Sequence, residues 1–364
     1  VISGDKNELD TLELFPFKQL IAAGVQSVMV AHLLVPALDS TTNKPSTLSK
    51  KIVTDLLRNN LGFGGLIFTD ALNMQGITDN TAAGVADAKA LIAGNDVLLF
   101  SQDIGKAIEQ IKISLAKNEI SQDEIDTHVK RILAAKYFAG LNHYKRAAIR
   151  NLTADLTNPF AKLLKQKLVE NAITLVKNKN NLIPFSGKLD STTFASVAIG
   201  TGNNNSFQNM LGNYAPIDFY TAAKDSSKNF YFLLEKQMEK YSVVFVSFHS
   251  MNRKPAEFYG IPDNGKLFVD ELKKHTKVVV VLFGNPYALQ YFSDCDYLLE
   301  GFSEDEMNQK TAAEILFGGV EAKGKLPVSA GEIKYGEGIN TKKIRLKYTV
   351  PEDVGINSAS LKLI

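Results

Sequence analysis

The chain is poor in the features that mark several large protein classes. It has one cysteine, Cys295, so an internal disulfide framework and a cysteine-based zinc site are excluded. Its 41 Lys and Arg residues nearly balance its 39 Asp and Glu residues, which leaves no one-sided field to attract nucleic acid or anionic lipid. No apolar run approaches the roughly 20 residues that cross a bilayer. We therefore expect a neutral partner, no nucleic acid and no membrane-spanning segment.

The length of 364 residues predicts two domains, because it exceeds what one hydrophobic core usually organises. A hydrophobic content of 45% is ordinary for a globular protein. The first residues, Val-Ile-Ser-Gly-Asp, are typical of neither a signal peptide nor a natural start, so we expect a longer parent polypeptide. The single cysteine leaves the compartment open, with a periplasmic or cell-envelope location among the candidates.

The first part of the chain predicts alternating strands and helices. The apolar run from Ser27 to Leu38 is too continuous for a half-exposed strand and predicts a strand buried on both faces. Ser49 offers an N-cap for a following helix that ends at Leu61 and Gly62. Two more units have predicted strands at 65–70 and 96–100 and predicted helices at 82–93 and 104–117. Three successive units indicate a doubly wound sheet or part of a (β/α)8 barrel.

The rest of the chain predicts a second α/β domain. Amphipathic helices at 122–137 and 159–176 flank a polar stretch, and we place a linker at 142–158. Predicted strands at 194–200, 217–221, 243–248, 278–283 and 297–299 alternate with predicted helices at 231–241, 266–274 and 305–317. This pattern is typical of an open α/β sandwich with a mostly parallel sheet. The expected segments are 1–141, 142–158, 159–347 and a connector at 348–364.

Two polar residues lie near the ends of predicted strands. Asp70 closes the run Leu-Ile-Phe-Thr-Asp, and carboxylates at the carboxyl ends of parallel strands point into the mouth where barrel enzymes work. Capping of the next helix is the alternative role for Asp70. His32 lies in a similar place, where a histidine is either a hydrogen-bonded core residue or a site residue. If the two strands are neighbours, both side chains converge on one rim.

The remaining candidates carry less chemistry. His249 ends a predicted strand and could line a cleft, although a structural role is favoured. The loop that begins at Gly200 lacks the third glycine and the acidic partner of a dinucleotide site. His128, His143 and His275 lie in polar helical or loop context without metal-ligand spacing. We predict no cofactor and no metal.

Three sequence blocks carry a family resemblance. They are 28–39 (Val-Met-Val-Ala-His-Leu-Leu-Val-Pro-Ala-Leu-Asp), 45–49 (Pro-Ser-Thr-Leu-Ser) and 61–76 (Leu-Gly-Phe-Gly-Gly-Leu-Ile-Phe-Thr-Asp-Ala-Leu-Asn-Met-Gln-Gly). In order and spacing they closely resemble family 3 glycoside hydrolases. The β-glucosidase-like branch usually has a Ser-Asp-Trp block, whereas this chain has Thr-Asp-Ala-Leu-Asn-Met and no tryptophan, and so resembles the N-acetylglucosaminidase branch. Later blocks at 172–178, 283–287 and 324–328 resemble the family's C-terminal α/β sandwich domain.

The resemblance implies a retaining glycosidase. It identifies Asp70 as the catalytic nucleophile, and His32 and Met74 as substrate-binding residues. The implied fold is the C-terminal part of a (β/α)8 TIM barrel at 1–141, followed by an α/β sandwich domain at 159–347. The implied substrate is a carbohydrate that ends in a β-linked N-acetylhexosamine, N-acetylglucosamine above all, as in peptidoglycan fragments.

The sequence also departs from the family pattern. The resembling branch uses a histidine, paired with an aspartate, as acid/base on a loop after the fifth barrel strand, and a Lys-His-Phe-Pro-Gly-His-Gly block precedes it. Neither is present, and 1–20 resemble the segment after that loop. We therefore expect the proton donor upstream of Val1 and no hydrolase activity in these residues alone. At the other end, 351–361 resemble the opening of a penicillin-binding-protein-like serine hydrolase domain, with a surface tail as the alternative.

Two other functions stay open at this point. The same family contains β-glucosidases and glycoside phosphorylases, and acetamido recognition lies mostly in the part of the family fold that this sequence lacks. The other alternative is a non-catalytic carbohydrate-binding fragment, because three β/α units cannot close a barrel and leave a sheet edge open.

Overall fold

The computed structural model describes residues 1–79, 81–146, 148–187 and 189–361. It divides into two compact units, Val1–Ala147 and Ala148–Ile364, which we describe separately. The boundaries predicted from the sequence, with a linker at 142–158 and a connector at 348–364, stay predictions. Residue 147 of that linker and residues 362–364 of that connector lie outside the described residues. No described helix is both long enough and apolar enough to cross a membrane.

The first unit is built around a short parallel pair of strands. Strand β1 (Ser27–Val30) pairs with β2 (Leu66–Thr69) in a register that sets Val30 opposite Thr69. The strands approach closely at Gly65, where a Cβ atom would lie 2.3 Å from the backbone oxygen of Gln26. The longer helices of this unit are α1 (Phe15–Ala22), α2 (Lys51–Asn60), α3 (Val85–Ala93), α4 (Ile104–Ala116) and α5 (Gln122–Phe138). Shorter helical turns span Lys6–Glu8, Leu9–Glu13, Ser46–Leu48, Gln75–Thr78 and Leu141–His143.

The predicted strand at 27–38 is wrong in length and in burial. The strand ends at Val30, and Met29 is 55% exposed. It ends there because loop hydroxyl groups replace the sheet bonds: Ser46 and Thr47 both donate to the carbonyl oxygen of Ala31. The predicted strand at 96–100 is likewise reduced to a single parallel bridge between Phe68 and Val97.

The predicted N-cap of the helix after residue 49 is also wrong. Lys50 is the N-cap of α2, and no side chain caps that end. The Ser49 hydroxyl instead donates to Asp39 Oδ2 at 2.6 Å. The predicted end of the helix is confirmed, since Leu61 is its C-cap and Gly62 has a positive φ of 67°.

The second unit contains a six-stranded sheet in the order β3-β8-β7-β6-β4-β5. Its strands are β3 (Thr174–Asn178), β4 (Phe194–Ile199), β5 (Ile217–Ala222), β6 (Val243–Phe248), β7 (Lys277–Leu282) and β8 (Tyr297–Glu300). All neighbouring pairs are parallel except β3 with β8. The predicted mostly parallel sheet is therefore confirmed.

Helices alternate with these strands along the chain. They are α6 (Pro159–Ala172), α7 (Ser206–Gly212), α8 (Lys228–Met238), α9 (Asp263–Leu272) and α10 (Glu306–Phe317). Shorter turns span Leu152–Leu156, Lys179–Asn181, Leu189–Ser191, Pro255–Gly260, Pro286–Phe292, Pro351–Val354 and Ser358–Leu361. Strands β4 and β6 are buried along their whole length, as expected for a sheet covered on both faces.

The helix predicted at 159–176 is wrong at its C-terminal end, where the structure has a strand. Helix α6 ends at Ala172, and the residues from Thr174 onwards form β3 against β8. Ile173, Thr174 and Val176 are β-branched and buried, which favours an extended backbone. The helical period of the sequence runs directly into this strand without a polar break.

Four phenylalanine rings fill one side of the sheet. Phe245 on β6 is fully buried, and its ring centroid lies 5.6 Å from Phe185, 5.9 Å from Phe194 and 5.9 Å from Phe317. Aromatic groups of this size dominate core energetics because they bury large apolar areas.

Replacement of this ring should weaken the sheet. Phe245→Ala is expected to lower the free energy of unfolding of the second unit by about 3 to 5 kcal/mol, from lost burial and the cavity left behind. Urea titration followed by circular dichroism measures it. The matched control is Phe219→Ala on β5, whose ring is half exposed, with an expected loss below about 1.5 kcal/mol. Equal losses in the two variants would contradict the packing described here.

The segment after residue 343 is bound to the second unit by polar contacts. The guanidinium of Arg345 donates to the carbonyl oxygens of Phe185 and Phe317, and Lys347 pairs with Glu170 at 2.9 Å. The amide of Tyr348 donates to Glu314 Oε1 at 2.6 Å. Burial raises the pKa of Glu314 to about 7, although this amide bond favours the charged form.

Stability should therefore fall as the pH rises past the ordinary glutamate range. A raised carboxyl pKa means that the folded state holds the proton of Glu314 more tightly than the unfolded state does. The stabilisation from this protonated group is therefore full below about pH 4.3 and is lost by about pH 7. Glu314→Gln, which carries no charge, should gain up to about 3 kcal/mol over the natural protein at pH 8 and little at pH 4.

Chemical unfolding at several pH values measures this difference. Glu306→Gln, on the exposed face of the same helix, is the matched control and should gain nothing at pH 8. If the stability of Glu314→Gln changes with pH in the same way as that of the natural protein, the raised pKa of Glu314 is refuted.

Candidate active site

Asp70 directly follows β2, at the point where both strands of the first unit end. Its backbone amide donates to the carbonyl oxygen of Val30 at 3.0 Å, and its Oδ1 accepts from the amide of Ala71 at 2.8 Å. The carboxylate is partly exposed. The next helical turn, Gln75–Thr78, begins after Met74 and has no side-chain cap, so the helix-cap role considered for Asp70 is wrong.

His32 lies beside the same loop but is bound by protein atoms on both ring nitrogens. Nε2 lies 2.9 Å from the carbonyl oxygen of Ala71, and Nδ1 lies 2.8 Å from the hydroxyl oxygen of Thr47. The predicted convergence of His32 and Asp70 on one rim is thus present in the structure. The three resemblance blocks meet here, because His32, Thr47 and Ala71 come one from each.

Met74 lies on the loop that follows Asp70. It is 48% exposed, and its amide donates to the carbonyl oxygen of Ala71 at 3.1 Å. Its large apolar side chain is therefore accessible on this loop.

The loop at 39–49 is rich in buried hydroxyl groups and contacts His32 through Thr47. Thr47 is fully buried, and its carbonyl oxygen accepts from the side-chain amide of Asn95 at 2.9 Å. Asp39 is buried, and burial alone would raise its pKa, but hydrogen bonds from Ser49 and Thr41 outweigh burial and hold it well below its usual range. Sequence reasoning missed these supporting roles, although the block at 45–49 was recognised.

Asp96 is buried next to β2 and accepts hydrogen bonds from four donors. Its Oδ2 accepts from Arg58 at 2.8 Å and from the amide of Ile67 at 2.8 Å, and its Oδ1 accepts from His128 Nδ1 at 2.7 Å and from Arg131 at 3.0 Å. The sequence placed His128 in polar context, whereas the structure shows it buried in this network. Buried charges persist only when paired in this way. The network fixes β2, and hence the start of the Asp70 loop, to α2 and α5.

The other candidate residues of the sequence belong to other elements of the two units. In the second unit, His249 is buried at the end of β6 with Nε2 2.9 Å from Ser247 Oγ, and burial lowers its pKa to about 4. Burial raises the pKa of the Cys295 thiol to about 12, which makes it a poor nucleophile. His143 is exposed in the turn that ends the first unit.

His275 lies near two carboxylates. Its ligand atom and those of Glu235 and Glu239 lie within 4.8 Å of one another. However, Glu239 is paired with Lys236 at 2.6 Å, and Glu239 and His275 are exposed. The loop at Gly200 leads into α7, which has only seven residues.

Comparison with known proteins places the rim within a described domain. Residues 1–135 match the model of the glycosyl hydrolase family 3 N-terminal domain. This part of the chain is similar to the N-terminal domain of glycosyl hydrolase family 3. The match contains β1, β2, His32, Asp70 and Met74.

Two curated proteins are similar to about half of the chain. Beta-hexosaminidase A of Pseudoalteromonas piscicida is 33% identical over 196 residues, which cover 49% of this chain and 32% of that protein. The beta-N-acetylglucosaminidase/beta-glucosidase of Cellulomonas fimi is 27% identical over 178 residues, which cover 47% of this chain and 32% of that protein. The chain thus spans about a third of the length of these relatives.

A solved structure extends the likeness in fold to both units. The glycoside hydrolase family 3 beta-N-acetylglucosaminidase from Paenibacillus sp. str. FPU-7 has a TM-score of 0.70 at 21% identity, over 95% of this chain and 63% of that chain. The predicted family resemblance and the predicted α/β fold class are therefore confirmed.

The Asp96 network supplies a direct test of what holds the rim. Asp96→Asn keeps the shape but removes the charge that two arginines face, so it should cost about 3 to 5 kcal/mol. The pKa of Asp96 in the folded protein lies below its usual range. The stabilisation that the charged Asp96 gives to the natural protein is therefore full above about pH 4 and is lost as the pH falls through this lowered pKa. Urea titration with hydrogen exchange of peptides from 61–72 measures both effects.

Asp103→Asn, at the exposed N-cap of α4, is the matched control and should leave the stability nearly unchanged, because asparagine caps a helix about as well as aspartate. If the two variants unfold at the same urea concentration, the Asp96 network does not support β2.

Proposed function

We propose that Asp70 is the nucleophile of a retaining glycosidase that releases terminal β-linked N-acetylhexosamine, chiefly N-acetylglucosamine. The observation that carries the proposal is the position of this partly exposed carboxylate at the carboxyl end of β2, beside β1, within the residues that match the family 3 domain. The N-acetylglucosaminidase-like block at 69–74 and the hexosaminidase names of the relatives favour the acetamido sugar. Peptidoglycan fragments that end in this sugar are a candidate natural source.

The proposed reaction has two displacement steps. A carboxylate oxygen of Asp70 attacks the anomeric carbon, the bond to the leaving oxygen breaks, and that oxygen receives a proton. Water then attacks the same carbon, releases the sugar with its original configuration, and restores the carboxylate. Met74 contacts the sugar beside this centre, as its exposed position allows.

We propose that the proton donor belongs to residues outside these 364. The block that precedes the family's acid/base histidine is absent from the sequence. General acid catalysis contributes about 10² to 10⁴ in rate, so the 364 residues alone should not match a complete enzyme. The resemblance of 351–361 to the start of a serine hydrolase domain stays a prediction.

Covalent trapping in the complete gene product tests the proposal. A 2-acetamido-2-deoxy-5-fluoro-glucosyl fluoride should leave one sugar on the peptide that contains Asp70. The fluorine at C5 slows both displacement steps, but the fluoride at C1 is a good leaving group and keeps the first step fast enough for the adduct to accumulate. Intact mass and peptide mapping measure the adduct. Asp70→Asn should not be labelled, whereas Asp79→Asn, at an exposed position of the same connection, should be labelled at the natural rate.

The outcomes separate the competing functions. Labelling by the 5-fluoro-glucosyl analogue alone would show a β-glucosidase-type enzyme, consistent with the dual name of the Cellulomonas fimi relative. Formation of a sugar 1-phosphate in added phosphate would show a phosphorylase. No adduct and no turnover of any β-glycoside would overturn the proposal and leave a carbohydrate-binding protein.

A further inference from the structure

We infer that His32 is a positioning residue that holds the Asp70 loop through the carbonyl of Ala71, rather than a residue that binds sugar through its ring nitrogens. The inference rests on the proposed function of Asp70 and goes beyond it. It differs from the direct sugar contact that the family resemblance implied for His32. Its basis is that both ring nitrogens are already bound to protein atoms.

The hydrogen-bonding chemistry fixes which nitrogen donates. A carbonyl oxygen can only accept, so the contact of 2.9 Å to Ala71 requires the proton on Nε2. The other ring nitrogen, Nδ1, lies 2.8 Å from the Thr47 hydroxyl oxygen and is therefore occupied as well, whichever of the two atoms donates. His32 therefore has no ring nitrogen left for a sugar hydroxyl while these two bonds persist.

Ala71 connects this bond to the reacting carboxylate. Its amide donates to Asp70 Oδ1 at 2.8 Å, while its carbonyl oxygen accepts from His32. The next residue, Leu72, is bound through its amide to the carbonyl oxygen of Leu99 at 2.9 Å. Loss of the His32 bond would leave the Ala71 carbonyl oxygen with its weaker contact to the Met74 amide at 3.1 Å and so loosen the loop that holds the carboxylate, and a misplacement of about 1 Å can cost about 10²-fold in rate.

Thr47 supports both the His32 ring and the end of β1. It is fully buried, so it cannot contact a substrate, and its hydroxyl group lies 2.8 Å from His32 Nδ1 and also within hydrogen-bond distance of the carbonyl oxygens of Val30 and Ala31. A positioning role predicts that loss of the Thr47 hydroxyl affects the reaction in the same direction as loss of the ring nitrogens. Because Thr47→Val also removes the contacts to these two carbonyl oxygens, the readout that separates positioning from direct sugar binding is the effect of His32→Phe on the maximal rate against its effect on the inhibitor concentration.

The matched control is Thr54. Its hydroxyl donates to the carbonyl oxygen of Ala93 at 2.7 Å, in the same unit but without contact to His32 or Asp70. Thr54→Val therefore removes a hydroxyl-to-carbonyl bond by the same isosteric change as Thr47→Val.

The experiment measures trapping kinetics of the complete gene product with the 5-fluoro N-acetylglucosaminyl fluoride. His32→Phe should lower the maximal rate of labelling at Asp70 by 10- to 100-fold, with less than a threefold change in the inhibitor concentration for half-maximal rate. Thr47→Val should lower that rate by 3- to 10-fold. His32→Gln should recover part of it, because its amide can donate to Ala71, and Thr54→Val should leave it unchanged.

Amide hydrogen exchange of residues 70–74 gives a second readout that does not need catalysis. His32→Phe and Thr47→Val should speed exchange there at least tenfold, and Thr54→Val should not. The inference fails if both variants keep the exchange rate and the maximal labelling rate of the natural protein. It also fails if His32→Phe changes only the inhibitor concentration for half-maximal rate. If the natural protein is not labelled at Asp70, the proposed function fails, and the exchange result alone decides whether His32 holds the loop.

Discussion

The parallel register of β1 and β2 is the constraint on which the candidate site depends. Because Val30 lies opposite Thr69, both strands end at the same level, and the amide of Asp70 bonds the carbonyl oxygen of Val30. A slip of one residue would turn Asp70 to the other face of the sheet. The close approach at Gly65, which no larger residue permits, favours this register.

Buried polar groups then hold the two strand ends in place. Asp96 ties β2 to α2 and α5, and the hydroxyl of Thr47 joins the end of β1 to the loop after β2 through His32. Each buried group is costly if unpaired and useful when paired, so the network restrains the loop more tightly than apolar contacts of the same size. The second unit depends instead on its aromatic core, in which Phe245 contacts three other rings.

Much of the fold could be predicted from the sequence, because continuous apolar runs such as β4 and β6 mark buried strands without knowledge of their partners. The end of β1 at Val30 could not, since hydroxyl groups 15 to 17 residues later replace its sheet bonds. Strand β3 was missed because its buried β-branched residues continue a helical pattern. Asp70 and His32 were found by position, whereas the bond from His32 to Ala71 joins residues 39 apart in the chain.

Chemical rescue tests the central claim, that Asp70 is the nucleophile, most directly. Asp70→Gly in the complete gene product, given azide and a β-N-acetylglucosaminide with a 2,4-dinitrophenyl leaving group, opens space for azide to attack the anomeric carbon. The account predicts α-configured N-acetylglucosaminyl azide, identified by NMR, because the single displacement inverts that carbon. A β-configured azide, or a variant that keeps natural turnover without azide, would contradict it.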